Sequence, residues 1–134
     1  MIKIKHYSAL AIKEAIPEPN SILISIAGRE NYFPQVQAGY KNILKLAFHD
    51  IKRELKGFTL FDENHAKQII RFVNNNLPVD SVYVNCEAGI SRSAAIRVFL
   101  HEILNREFIG NKHPCALYNK HVYSVLKTAY KNLY

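Results

Sequence analysis

The sequence predicts an α/β domain in which a mostly parallel central sheet is flanked by helices. Three observations carry this. Short β-branched runs alternate with segments whose apolar residues recur every three or four positions. The later connections between those runs are long enough for parallel pairing, which needs a crossover rather than a hairpin. One strand pattern, Val82 to Val84, leads through a turn directly into a helical pattern from Ala95 to Ile103.

The elements follow in order. Ile2 to Tyr7 alternates apolar and polar residues, as a half-exposed edge strand does, and Ser8 can cap a short helix that Pro17 and Pro19 terminate. Ser21 to Ala27 is nearly continuous in apolar residues and reads as a buried strand. Residues 28 to 39 lack periodicity and read as a loop. Their Tyr32 and Phe33, with Tyr40, either anchor that loop or wall a cleft. Asn42 to Phe48 reads as a strand that leaves the sheet at the charged segment His49 to Glu54. Asp62 is a credible N-cap for a helix carrying Ala66, Ile69, Ile70 and Val73, which Asn74 to Asn76 and Pro78 close. After the strand Ser81 to Asn85 and a helix reaching about Asn105, a turn-rich segment precedes an amphipathic helix through Val122, Leu126 and Leu133.

At 134 residues and 49% hydrophobic content the chain reads as one domain, residues 1–134, with a core of useful size. No apolar run reaches membrane-spanning length and the N-terminus lacks a signal-peptide core, so the expectation is a soluble cytoplasmic protein without a membrane partner. Cys86 and Cys115 are then expected to be reduced, and neither sits in a cluster of metal ligands. The formal charge of +7 favours anionic partners. Its dispersal along the chain, without a dense basic run, argues against nucleic acid.

The turn between Asn85 and the helix concentrates chemistry. A strand-loop-helix unit gathers loop N–H groups and the free N–H groups of the first helical turn on one point, which the helix dipole also makes electropositive. Gly89 permits the tight turn. Cys86, at the start of the loop, lies in a field that favours the thiolate, the nucleophilic form. Arg92 can set its planar fork against two oxygens of a tetrahedral anion, and Ser93 can donate a hydrogen bond to the sulfur.

Cys86, five intervening residues, Arg92 and Ser93 resemble the signature of the cysteine-based protein tyrosine phosphatases, and the short chain resembles their compact dual-specificity branch. The resemblance implies a thiolate that attacks phosphorus, an Arg that holds the phosphate, and an Asp on a separate loop that protonates the leaving oxygen. It implies no metal and no cofactor. Phosphate would be cradled by Glu87, Ala88, Gly89, Ile90, Ser91 and Arg92, chiefly through backbone amides. The partner would be a phosphorylated protein bearing phosphotyrosine, or phosphoserine and phosphothreonine. Asn85 stands where the family usually has His, and its amide is expected to hydrogen-bond the loop.

The residues themselves nominate Asp50 as the acid. It opens a polar loop after a strand, so it should emerge at the same end of the sheet as Cys86. Asp62 is better explained by capping, and Asp80 by a place at the opposite end. Glu87 is expected to brace or rim the loop. Two alternatives remain: a phosphate-binding pseudophosphatase, and an RNA 5′-phosphatase of the same superfamily.

Overall fold

The computed structural model describes all residues from Met1 to Tyr134. Four parallel strands, β1 (Lys3–Tyr7), β2 (Ser21–Ala27), β3 (Asn42–Ala47) and β4 (Ser81–Asn85), form one sheet in the order β1-β4-β2-β3. Four helices accompany it: α1 (Ala9–Glu14), α2 (Glu63–Asn76), α3 (Arg92–Asn105) and α4 (Lys120–Leu133). The α/β class and the edge position of the first strand are as expected, and Asp80 lies at the N-terminal edge of the sheet, where its carbonyl accepts from Lys3 N–H.

Strand alternation sorts the side chains into two layers. Ile22, Ile24 and Ile26 of β2, with Val82 and Val84 of β4, face one side and pack with Ile69, Ile70, Ile96, Phe99 and Leu126 from α2, α3 and α4. The intervening Leu23 and Tyr83 face the other side and meet Ile12 of α1, Tyr7 and Tyr40. Each buried aliphatic side chain in such a core contributes about 1.5–3 kcal/mol, so the central strands β2 and β4, covered on both faces, anchor the sheet.

Local signals set the helix starts. Ser8 Oγ accepts from Ala11 N–H at 3.1 Å to cap α1. Asp62 caps α2 by accepting from His65 N–H, while His65 Nδ1 accepts from Asp62 N–H, a reciprocal pair. Asn119 Oδ1 accepts from Val122 N–H to cap α4. Only α3 begins without a side-chain cap. Ser91, in the capping position, gives its hydroxyl to Asp50 Oδ1, so no side chain caps the first-turn N–H groups of α3.

Where β1 faces α3, His6 Nδ1 lies 3.1 Å from Arg97 Nη1. Burial, and then the Arg97 charge, push the His6 imidazole down from 6.5 to about 4. Between those values the unfolded chain binds the extra proton, so this contribution to stability is complete above pH 6.5 and is lost as pH falls toward 4. Thermal melts across that window should show Tm falling with pH, and His6→Gln should flatten the slope.

Candidate active site

All four strands end at one edge of the sheet, and the chain leaves it there at Ser8, Gly28, Phe48 and Cys86. The loop 86–91 rises from β4 and enters α3. Gly89 has φ +76°, and a Cβ there would lie 2.4 Å from Ser8 N and 2.7 Å from Tyr7 C. No side chain fits: the positive φ serves the tight turn expected of this glycine, and the close approach of the Tyr7–Ser8 backbone is a second constraint that the structure adds. Two further backbone bonds tie the loop to the N-terminal segment: Ala9 N–H donates to Glu87 O at 3.1 Å and Cys86 N–H to Tyr7 O at 3.2 Å.

This turn folds the loop over the sulfur. Gly89 N–H donates to Cys86 Sγ at 3.2 Å, and Ser93 Oγ lies 3.1 Å from it. Cys86 is 1% exposed, at the foot of the loop.

Arg92, the first residue of α3, is 5% exposed. Its Nη1 donates to Phe48 O at 2.7 Å, a carbonyl at the end of β3. Its Nε has no protein partner. One edge of the guanidinium is thus fixed against the neighbouring strand end, and the edge bearing Nε is uncommitted. A guanidinium held this way keeps its plane, which a flexible ammonium would not.

Asp50 sits on the adjoining loop. Ser91 Oγ and Asn119 Nδ2 both donate to Asp50 Oδ1 at 2.8 Å, and Asn119 Nδ2 also reaches Ile51 O at 3.2 Å. Asp50 is therefore bound at once to the residue before α3 and to the cap of α4, with Oδ2 left free. Asn119 N–H, in turn, donates to Ser91 O at 3.1 Å. The backbone and side chain of Asn119 join three segments far apart in sequence. Nothing local in the sequence marks Asn119 for this role, because its contact with Asp50 depends on how distant segments pack.

His49 fastens the same loop from its other end. Its N–H donates to Thr59 O at 2.8 Å, and its Nδ1 accepts from Thr59 N–H at 2.8 Å. The ring packs edge-on against Phe58, with centroids 5.0 Å apart. Beside it lies a cleft of about 270 Å³, walled by Gly28, Arg29, Tyr32, His49 and Glu87. The two readings of the aromatics are divided among them. Tyr32 borders the cleft, Tyr40 packs edge-to-face on Tyr83, and Phe33 lies under Lys45. Glu87 borders the cleft, and its carbonyl braces the loop against Ala9 N–H.

One expectation fails. Asn85 does not hydrogen-bond the loop: it is wholly buried, and both its side-chain oxygen and nitrogen lack protein partners. The reason is the strand period. Asn85 shares the face of Tyr83, whereas Cys86, one residue on, joins the opposite core with Val84. An unpaired buried amide costs about 1–3 kcal/mol. Asn85→Leu should therefore raise Tm by several degrees in a thermal melt.

Among solved structures, the chain superposes on a human tyrosine phosphatase-like serine/threonine/tyrosine-interacting protein with a TM-score of 0.56. The fold is phosphatase-like. The match covers 85% of this chain and 78% of that one at 21% sequence identity, so it speaks for the architecture of the phosphatase-like fold and not for the chemistry performed on it. No family model and no curated protein sequence matches the chain. No helix is long and apolar enough to cross a membrane.

Proposed function

We propose that the chain hydrolyses phosphomonoesters through a cysteinyl-phosphate intermediate, with phosphorylated proteins as substrates. The observation that carries this reading is the convergence on one sheet edge of a sulfur bonded by Gly89 N–H and Ser93, a guanidinium with a free Nε edge, and a carboxyl group tethered to the same loop.

In the first step Cys86 Sγ attacks phosphorus, the S–P bond forms and the P–O bond to the leaving group breaks. Asp50, through its free Oδ2, gives a proton to the departing oxygen. Arg92 and the loop amides from Glu87 to Arg92 take up the charge on the equatorial oxygens, a stabilisation that acts most strongly in the transition state. In the second step the Asp50 carboxylate accepts a proton from water, whose oxygen attacks phosphorus. The S–P bond breaks, and Ser93 donates its hydrogen bond to the returning thiolate. Phosphate leaves, and every group regains its starting protonation.

The test is release of phosphate from an aryl phosphate and from phosphopeptides with EDTA present. Asp50→Asn should lower kcat by about 10²–10⁴-fold on substrates with poor leaving groups. It should have much less effect on kcat/KM for an activated aryl phosphate, whose oxygen departs without a proton.

A second reading, a phosphate-binding protein with little turnover, is favoured by the unpaired Asn85 and by the phosphatase-like name of the human protein of similar fold. The rate of Cys86 alkylation against pH separates the two: an ordinary thiol profile supports binding alone. The dispersed basic residues give an RNA 5′-phosphatase little support, and triphosphorylated RNA belongs in the substrate panel as its test.

A further inference from the structure

A second cleft of about 270 Å³ opens between α3 and the segment that follows it, and it shares no lining residue with the cleft beside Glu87. Arg97 and His101 of α3 form one wall; Glu107, Lys112, His113 and Cys115 contribute to the other. Glu107 is the one carboxylate, and it is already engaged: its Oε1 holds Lys112 Nζ at 3.0 Å, and its Oε2 lies 3.9 Å from His101 Nδ1.

Arg97 has no carboxylate partner. Its Nη1 meets His6 Nδ1, and because a guanidinium can only donate, that nitrogen must accept and the imidazole is neutral. A neutral ring does not cancel a charge. Arg97 is half-buried, and its Nε is enclosed with no protein partner at all. A desolvated charge without a counter-charge is costly, and the cost falls away when an anion enters.

We infer that this cleft is an anion site for a tetrahedral oxyanion of the phosphate class, held by Arg97 and Lys112 against the flank of α3. The volume accommodates such an ion, and Arg97 lines the cleft, where its guanidinium can donate to the ion's oxygens as it moves to meet a counter-charge. His101 and His113 provide further donors at the rim. Glu107 can accept from a protonated oxygen of the bound ion. This inference does not depend on the catalytic reading.

The test is an NMR titration of the whole ¹⁵N-labelled chain with inorganic phosphate at constant ionic strength. Two sets of saturable shifts are expected, one over residues 86–93 and a separate one over Arg97, His101, Lys112 and His113. Arg97→Gln should weaken the second set about tenfold or more and leave the first in place. Lys112→Gln, at an exposed position, should weaken it in the same sense and carries the test alone if Arg97→Gln unfolds. Shifts confined to 86–93 would overturn the inference. So would a second set indifferent to the substitutions, or small unsaturable shifts across the whole basic surface.

Discussion

Cys86→Ser is expected to abolish phosphomonoester turnover, with a loss of roughly 10⁴-fold or more in kcat. The replacement exchanges sulfur for oxygen at a site 1% exposed, so little volume changes and the fold should persist. What changes is the nucleophile. A sulfur is intrinsically a far better nucleophile than a hydroxyl oxygen, and the contacts of Gly89 N–H and Ser93 at this position do not make up that difference for serine. Phosphate binding should survive, because the loop amides and Arg92 are untouched. Isothermal titration with phosphate alongside a turnover assay checks both halves. Full activity in Cys86→Ser would rule out the covalent route.

Arg92→Lys is the second large effect. The charge is retained, yet kcat/KM should fall by roughly 10³-fold, mostly in kcat. In the proposed reaction Arg92 has two tasks for one rigid plane: Nη1 is bound to Phe48 O at 2.7 Å, and the edge bearing Nε, which has no protein partner, would take two phosphate oxygens. An ammonium can satisfy the carbonyl or the anion, but it has no second edge with which to bridge them. The bonds that disappear are those that tighten as charge gathers on the equatorial oxygens, which is why binding should suffer less than turnover. Steady-state kinetics on an aryl phosphate separates the two parameters. A change in KM alone would mean that Arg92 only binds.

Much of this arrangement was legible in the chain because it is local. The β-branched run Ser21–Ala27 is a strand with the bounds expected, and Asp62 caps its helix as its side chain suggests. Cys86, Gly89 and Ser93 come together because they share one turn. What was not legible depends on elements brought together by packing. Asp50 could be assigned to the right edge of the sheet from its strand, but its grip by Ser91 and Asn119 joins residues 41 and 69 positions away. Arg92 reads from sequence as a phosphate ligand only. Its bond to Phe48 O exists because β3 ends beside the start of α3. Asn85 was misread for the same kind of reason: its surroundings are settled by the face of β4 it occupies, shared by alternation with Tyr83, and the packing there leaves its amide without a protein partner.

The central claim is that a phosphoryl group passes through one sulfur atom. Acid quenching of the protein during turnover of a phosphorylated substrate, followed by peptide mass analysis, tests it directly. The account predicts a single phosphoryl adduct on the peptide containing Cys86, more abundant when Asp50→Asn turns over an activated aryl phosphate, whose oxygen departs without a proton so that only hydrolysis of the adduct is slowed. Steady release of phosphate with no adduct on that peptide, or with the adduct on another residue, would contradict it.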